Sequence, residues 1–297
     1  MSISSQTILV TGSAGFIGKA VRDDFLARDI PTLGLDMKSQ VDGMGLTLRL
    51  GTLSHENKIA MKEVKPSIVI HCAAQTDVTT SMVNPTLDAL DNIIGSIELF
   101  ELSYSEKLLH FIYLNSGGAA YGKDAKVPTV EDSKYSPDSA YGISKITAES
   151  YLELLCKTKN VKFTSLRLSN VYGPISQNQK GIFYNISSAI KKQATFTIYG
   201  AGVTRDYIHV ADVVAAIDAV MVHEVSGAFN VSTGVETSNK VLVEMAQKAI
   251  GQKLKIQIAD PRPGEVLRSC LSNSKLVETT LWSPKVKLVE GLSSVWG

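Results

Sequence analysis

Short β-rich runs alternate with helical patterns through the first two thirds of this 297-residue chain. Runs of apolar and β-branched residues predict strands over 7–10, 32–35, 46–50, 67–71, 109–114 and 162–168. Apolar residues at helical spacing fall between most of these runs and predict helices over 16–26, 87–102 and 140–155. Repeated β-α-β units require a parallel sheet with helices on its faces, so the pattern predicts an α/β fold with a doubly wound parallel sheet.

The alternation breaks after Asn170, where the chain reads VYGPISQNQKG. A helix over 182–191 and short strands over 195–198 and 205–208 follow, and a helix over 211–222 is expected to return to the sheet. We therefore predict two domains. The first spans 1–168 plus about 209–226 and carries the large sheet, and a smaller mixed α/β lobe toward the C-terminus spans about 169–208 plus 227–297.

Composition excludes several classes of function. Hydrophobic residues make up 44% and charged residues 20%, and the formal net charge of +1 gives no long-range attraction for nucleic acid or an anionic membrane. Cys72, Cys156 and Cys270 are far apart in sequence, and the histidines show no metal-ligand spacing, so we expect neither disulfides nor a metal. The start of the chain has no secretory pattern, and no apolar run is long enough to span a membrane, which predicts a cytoplasmic protein.

A glycine-rich segment, TGSAGFIG, joins the first predicted strand to the first predicted helix. Gly12 and Gly15 would allow a tight turn close to a pyrophosphate at the helix N-terminus, and Gly18 would allow the helix to pack against the strand. Asp36 ends the second strand 21 residues after Gly15, close to the spacing at which an acidic side chain accepts the adenosine ribose hydroxyls. A carboxylate there would repel a 2′-phosphate. The segment therefore predicts a Rossmann-type site for NAD rather than NADP.

Tyr141 and Lys145 lie four residues apart in a segment that starts a helix after Pro137. This spacing places both side chains on one face of the helix. A lysine ammonium about 4 Å from a phenol would lower the pKa of the phenol toward neutrality. Tyr141 could then act as a general base.

These residues resemble the extended short-chain dehydrogenase/reductase family and, within it, the NAD-dependent nucleotide-sugar epimerase/dehydratase group. Matching segments occur in the family's order along nearly the whole chain: TGSAGFIG (11–18), HCAAQTDV (71–78), NIIG (92–95), YGISK (141–145), RLSNVYGP (167–174), TRDYIHVAD (204–212), FNVSTG (229–234) and RPGEVLRS (262–269).

The resemblance implies roles for individual residues. Tyr141 would be the catalytic base and Lys145 its partner, and Ser116 is the hydroxyl nearest to the family's third catalytic position. Contacts with NAD would come from Gly12, Ala14, Gly15, Phe16, Ile17, Gly18, Asp36, Thr52, Ala73, Ala74, Asn92, Tyr141 and Lys145. The nucleotide-diphosphate sugar would be held by Ser116, Tyr141, Asn170, Arg205, Arg262 and Ser269, where the arginines suit a diphosphate and Ser269 would border the sugar's C2 substituent.

The chain departs from the family pattern at two positions. The family's catalytic Ser or Thr lies four residues before the Tyr of the YG motif, and Gly117 occupies that place here. Either Ser116 reaches the substrate from a rearranged loop, or Tyr141 works without a hydroxyl partner. Thr52 stands where the family usually has an Asp that contacts adenine, and its hydroxyl would accept that hydrogen bond more weakly.

The resemblance also implies the chemistry. Gly118, Ala119 and Ala120 occupy the positions where the group's dehydratases and decarboxylases carry acidic groups, so elimination is disfavoured. We expect an isomerase that epimerises C4 of a nucleotide sugar through a 4-keto intermediate, works as a homodimer and supplies polysaccharide biosynthesis. A 4-keto-sugar reductase or dehydrogenase uses the same residues and remains an alternative, as does a non-catalytic protein that binds NAD or a sugar nucleotide.

Overall fold

The computed structural model describes residues 7–37, 46–47, 55–174, 181–262 and 265–296. The strands are β1 (Ile8–Thr11), β2 (Thr32–Asp36), β3 (Leu46–Thr47), β4 (Ile68–His71), β5 (His110–Ser116), β6 (Lys162–Leu168), β7 (Asn170–Tyr172), β8 (Phe196–Tyr199), β9 (Thr204–His209), β10 (Gly227–Val231), β11 (Glu236–Ser238), β12 (Ile256–Ala259) and β13 (Arg268–Ser269).

The helices are α1 (Phe16–Ala27), α2 (His55–Val64), α3 (Val78–Val83), α4 (Pro85–Ala89), α5 (Gly95–Ser103), α6 (Gly117–Tyr121), α7 (Ala140–Thr158), α8 (Ile182–Lys191), α9 (Val210–Val222), α10 (Asn239–Ile250), α11 (Ser274–Thr280), α12 (Leu288–Gly291) and α13 (Ser293–Trp296). A π-helical turn, Leu90–Ile94, joins α4 to α5. The sequence predicted one continuous helix over 87–102, and the structure differs by this wider turn.

Seven parallel strands form the large sheet in the described part of the chain, in the order β10-β6-β5-β4-β1-β2-β3. Alternate residues of β5 enter two separate cores: Ile112 and Leu114 pack with α1 and α9, and Phe111 and Tyr113 pack with α5 and α7. Both faces of the sheet are therefore covered by helices, which confirms the predicted doubly wound α/β fold. Of the strand predicted over 46–50, the described part is Leu46–Thr47.

The remaining strands form two small sheets. Strands β11, β9 and β13 lie side by side, and β7 pairs with the other part of β9. Strands β8 and β12 pair separately in parallel.

One strand differs from the predicted boundary at residue 227. Strand β10 pairs in parallel with β6, so 227–231 extends the large sheet instead of starting the smaller lobe. The cause is its burial: Phe229 and Val231 enter the core between the sheet and α9. Leu276 and Trp282, farther along the chain, join the same core. The division into two domains with separate binding roles stays a prediction.

Candidate active site

The glycine-rich turn lies between β1 and α1, at the carboxyl edge of the large sheet. Gly12 has a φ of +65°, and a Cβ there would lie 2.8 Å from the backbone nitrogen of Ala73. A Cβ at Gly18 would lie 2.2 Å from the carbonyl oxygen of Gly12. Both positions therefore require glycine, one for its backbone conformation and one for close packing.

The start of α1 is suited to an anion. Gly15 is the exposed N-cap residue of this helix, and among the described residues no side chain caps its first turn. Phe16 and Ile17, in that turn, are half-buried. Uncapped N–H groups and the positive end of the helix dipole attract a phosphate, so these residues fit the pyrophosphate of NAD.

Asp36 lies at the end of β2, beside the glycine-rich turn. Its Oδ2 accepts a hydrogen bond from the backbone N–H of Ala14 at 2.9 Å, so the carboxylate also supports the turn. Ala73 and Ala74 follow β4 at the same edge and are half-buried. Thr52 lies outside the described residues. The contacts of these residues with a cofactor stay predictions.

Asn92 lies in the π-helical turn and is 1% exposed. Its side chain exchanges two hydrogen bonds with the backbone of Gln75 and donates to Asp88 at 3.1 Å and Ser144 at 3.0 Å. These bonds connect the segment after β4 to α7. Asn92 therefore holds these two segments together, and its contact with the cofactor stays a prediction.

A second chain of hydrogen bonds leads from the end of β1 to the backbone carbonyl of Asn92. Ser96 donates to the carbonyl of Asn92 at 2.5 Å, so its oxygen accepts from His71 Nε2 at 2.9 Å, and His71 Nδ1 accepts from Thr11 at 2.7 Å. Burial and the charge of Lys145 lower the pKa of His71 to about 3, so the imidazole is neutral. These buried polar residues were missed in the sequence, because nothing in its pattern separates them from ordinary core positions.

Tyr141 and Lys145 lie near the start of α7, which is capped by the Ser139 side chain. Ser81 accepts a hydrogen bond from the backbone N–H of Tyr141 at 3.1 Å and fixes this turn to α3. Lys145 is 3% exposed, and its ammonium lies 4.1 Å from the centre of the Tyr113 ring. The predicted pair therefore lies on one helical face, with Lys145 buried and Tyr141 half-buried.

The electrostatics of the pair differ from the expectation. Burial raises the pKa of Tyr141 to about 12, a hydrogen bond from Ser116 opposes this, and the charge of Asp88 adds to it. Burial lowers the pKa of Lys145 to about 7. The expectation that Lys145 shifts the phenol toward neutrality in the protein alone was wrong, because it treated the charge and omitted the burial of both groups.

Ser116 lies directly before the departure from the family pattern at Gly117. It ends β5 and caps α6, where its hydroxyl accepts from the backbone N–H of Ala119 at 3.4 Å. Its hydrogen-bonding interaction with Tyr141 lowers the pKa of that phenol. A Cβ at Gly117 would lie 2.5 Å from Cδ1 of Leu271, so a side chain there meets the core. The structure thus brings Ser116, one residue earlier than the family position, next to Tyr141.

The predicted diphosphate ligands lie on the smaller sheets and the loop before β13. Asn170 is exposed at the start of β7. The Arg205 guanidinium donates to the carbonyls of Thr204 and Val266 at 2.8 and 2.7 Å and lies 3.4 Å from Glu265. These contacts fix Arg205 to the loop before β13.

Arg262 contacts the same carboxylate as Arg205, that of Glu265. The backbone N–H of Arg262 donates to Glu265 at 3.0 Å, and its guanidinium lies 4.4 Å from the centre of the Tyr199 ring. The two arginines are therefore connected to one acidic side chain. Their binding of phosphate stays a prediction.

Ser269 lies beside α6. A Cβ at Gly118 would lie 3.3 Å from its hydroxyl oxygen, so Ser269 faces the segment that follows Ser116. The neighbouring Arg268 points away and pairs with Glu236 at 2.5 Å. Ser269, and not Arg268, therefore faces the segment that follows Ser116.

Within the residues that the structure describes, no helix is long and apolar enough to cross a membrane. Among the same residues, no three His, Cys, Asp or Glu side chains lie close enough together to bind a metal ion.

Comparison with known proteins shows the family of this chain. The profile described as "NAD dependent epimerase/dehydratase family" matches residues 8–232. The chain belongs to this family. The expected resemblance is therefore confirmed.

Two curated relatives match along the whole chain. UDP-glucose 4-epimerase of Mycolicibacterium smegmatis is 33% identical over 96% of this chain and 96% of its own length. dTDP-4-dehydro-6-deoxyglucose reductase of Escherichia coli is 28% identical over 99% of this chain and 98% of its own length.

Two solved structures are also similar. UDP-glucose 4-epimerase of Thermotoga maritima, crystallised with UDP-glucose, has a TM-score of 0.88 at 34% identity and covers 97% of both chains. UDP-glucose 4-epimerase of Thermus thermophilus, in complex with NAD, has a TM-score of 0.89 at 31% identity and also covers 97% of both chains.

Proposed function

We propose that this protein is an NAD-dependent epimerase that inverts C4 of a nucleotide-diphosphate sugar through a transient 4-keto intermediate. The observation that carries the proposal is the proximity of Ser116 and Tyr141, with Lys145 one turn farther along α7, at the same carboxyl edge of the sheet as the glycine-rich turn. Sequence similarity to UDP-glucose 4-epimerases over the whole chain supports the same reaction.

The residues present fit NAD. The start of α1 and the turn at Gly12 and Gly15 would hold the pyrophosphate, Asp36 would accept the adenosine ribose hydroxyls, and the Lys145 ammonium would bind near the nicotinamide. Bound NAD supplies a positively charged ring that accepts a hydride from the sugar and returns it.

The protein's own residues move the proton. Tyr141 would accept the proton of the C4 hydroxyl and return it to the same oxygen after the 4-keto sugar has turned its other face to the site. The hydrogen bond from Ser116 stabilises the phenolate and opposes the effect of burial. The positive charge of Lys145 on the same helical face also favours the phenolate when the amine is protonated.

The segment after Ser116 supports epimerisation over elimination. Gly118, Ala119 and Ala120 carry no group that can transfer a proton. Eliminating water from the sugar would require an acid and a base beside the 4-keto intermediate. Rotation of the intermediate about its diphosphate requires only space.

A second candidate is a 4-keto-sugar reductase. It is favoured by the similarity to dTDP-4-dehydro-6-deoxyglucose reductase and uses the same three residues. The two reactions differ in stoichiometry: an epimerase returns the hydride at each turnover, whereas a reductase consumes one NADH for each sugar.

The experiment follows from that difference. The purified protein is assayed for copurified NAD and incubated with UDP-glucose, UDP-galactose and their dTDP analogues, while products are separated and NADH absorbance is recorded. An epimerase interconverts the 4-epimers with no net change in NADH. Stoichiometric NADH consumption on a 4-keto sugar would replace the proposal with the reductase. NAD binding without turnover of any of these sugars would contradict both enzymes and indicate a non-catalytic NAD-binding protein.

We further propose that the sugar pocket admits a 2-acetamido group. The position of Ser269 beside Gly118 supports this, because a serine there leaves the space that a larger side chain would fill. UDP-N-acetylglucosamine is the corresponding test substrate. Supply of sugar precursors for polysaccharide biosynthesis in the cytoplasm is the proposed role.

The proposed assembly is a homodimer. One face of α7 exposes Ile143, Tyr151 and Leu154, with exposed fractions of 53%, 47% and 60%. Ile94 lies in the π-helical turn that packs against α7 and is 49% exposed. Apolar side chains repeated along one helical face are suited to contact with a second copy. Light scattering of the wild type and of Leu154→Lys tests this: a dimer that the substitution dissociates supports it, and a monomeric wild type contradicts it.

A further inference from the structure

A buried acidic side chain lies one helical turn beyond Lys145. Glu149 is 6% exposed, and its carboxylate accepts five hydrogen bonds. The donors are Asn115 Nδ2 at 2.5 Å, Ser165 Oγ at 2.5 Å, Tyr135 Oη at 2.7 Å, and Arg167 Nη2 and Nε at 2.6 and 3.3 Å. Burial raises the pKa of Glu149, but Arg167 and the other donors hold it below its ordinary value, so the group is ionised.

Asn115 connects this carboxylate to the catalytic segment. It is 3% exposed, and while its amide nitrogen donates to Glu149, its amide oxygen accepts the backbone N–H of Ser116 at 2.7 Å. An ionised carboxylate cannot donate, so Glu149 determines which end of the amide faces Ser116. The carboxylate thereby fixes the backbone of Ser116.

The contacts form a closed path. Tyr141, Lys145 and Glu149 follow one another at four-residue spacing along α7, and therefore share one helical face. The path leaves this face at Glu149, passes through Asn115 to Ser116, and returns at the Tyr141 hydroxyl. The helix that carries the base thus also carries the anchor for its hydrogen-bond donor.

We propose that Asn115 is a positioning residue which, oriented by Glu149, holds the Ser116 hydroxyl on Tyr141. This inference rests on the proposed function, because it concerns the step in which Tyr141 accepts a proton. Glu149 keeps four of its five donors when Asn115 is replaced, whereas the Ser116 N–H loses this acceptor. The effect of replacement therefore falls on Ser116.

The test uses Asn115→Leu, which keeps the size of the side chain and removes both hydrogen bonds. We expect a fall in kcat of about threefold to thirtyfold with little change in KM, within the range set by loss of one hydrogen bond in the transition state. Besides burial, two groups act on the pKa of Tyr141: Ser116 from the end of β5 and Asp88 from α4. Lys145 lies one turn farther along the same helix. Loss of the Ser116 bond raises the pKa of Tyr141, so the acid limb of the kcat profile should move to higher pH by roughly half a unit or more.

A double-mutant cycle separates positioning from general support. In a Ser116→Ala background, Asn115→Leu should have almost no further effect on kcat or on the pH profile, because the hydroxyl that it positions is gone. Equal factors in both backgrounds would overturn the proposal, and so would an unchanged kcat in the single variant.

Ser165→Ala is the matched control. It removes a hydrogen bond of the same length from the same carboxylate oxygen, but Ser165 lies on β6 and has no bond to Ser116. It should lower the melting temperature without moving the acid limb; a shift equal to that of Asn115→Leu would contradict the proposal. Asn115→Ser replaces Asn115→Leu if the leucine variant does not fold. The epimerase assay of the wild type tests the proposed function separately, since its failure would show in the wild type itself.

Discussion

The ammonium nitrogen of Lys145 lies 4.1 Å from the centre of the Tyr113 ring, and the lysine is 3% exposed. A ring face attracts a cation, yet burial still lowers the pKa of Lys145 from 10.5 to about 7. Charging this amine in the folded protein therefore costs free energy. The cost has a consequence for stability that can be measured without substrate.

Between pH 7 and 9 the unfolded chain holds the Lys145 proton and the folded protein releases it. The free energy of unfolding therefore rises with pH through this group, by at most about 1.4 kcal/mol per pH unit. Lys145→Met should remove this slope and be the more stable protein at pH 7. Urea unfolding of both nucleotide-free proteins at pH 7, 8 and 9 measures the two free energies of unfolding. The same dependence on pH in both proteins would contradict the prediction. Above pH 9 Cys72 acts in the opposite direction, because burial raises its pKa to about 12.

Tyr141→Phe should lose turnover by at least about 10²-fold, the contribution of a positioned general base, while retaining NAD. Tyr113→Phe is the matched control, since it removes another buried phenol next to Lys145 but keeps the ring under the ammonium. Its turnover should stay within a few-fold of the wild type. Chemistry that survives Tyr141→Phe would have to be assigned to another residue.

Asp36 should select NAD over NADP. Asp36→Asn removes the charge but keeps an oxygen for the Ala14 N–H, so it should improve NADP binding with little loss of the turn. Asp36→Ala removes both and should also weaken NAD. Dissociation constants for the two nucleotides measure these effects. An unchanged preference in both variants would exclude Asp36 from the ribose site.

Gly117→Ser should destabilise the fold, although it restores a hydroxyl at the family position. Its Cβ would lie 2.5 Å from Cδ1 of Leu271, which is 2% exposed, and overpacking of this kind costs about 1–3 kcal/mol. Gly118→Ser is a mild control, because its Cβ meets only the Ser269 hydroxyl at 3.3 Å.

Leu271→Ala tests the stated cause of that clash. The double variant with Gly117→Ser should be more stable than the sum of the single effects in urea unfolding. Additive losses would show that the clash lies elsewhere.

Ser269→Tyr should lower kcat/KM for UDP-N-acetylglucosamine much more than for UDP-glucose, because a phenol beside Gly118 would occupy the space of the acetamido group. Arg268→Tyr is the matched control, because it places the same ring on the side that faces Glu236. The ion pair with Glu236 that it removes lies at the surface and contributes little to stability. This variant should affect both substrates equally. Equal losses from Ser269→Tyr would remove Ser269 from the sugar pocket.

The fold was largely readable from the sequence because the central strands are buried on both faces. The apolar run of β5 and the helical spacing of α7 each have one stable arrangement in a parallel sheet. The π-helical turn was not readable, since one additional residue per turn leaves the apolar pattern almost unchanged. Strand β10 was missed because it follows a helix and lies at the edge of the sheet.

The site was readable to a smaller extent. Spacing alone placed Tyr141 and Lys145 on one face, because helical geometry is local. The contact between Ser116 and Tyr141 depends on how β5 meets α7, which is a matter of tertiary packing. The pKa values of the pair depend on burial, which a motif does not contain.

The approach of Gly12 to Ala73 couples two turns that are 61 positions apart in the chain. A methyl group added at Gly12 would clash with the Ala73 backbone, so a change in one turn disturbs the other. A designer who transplants the glycine-rich turn into another protein must therefore move the ends of β1 and β4 together.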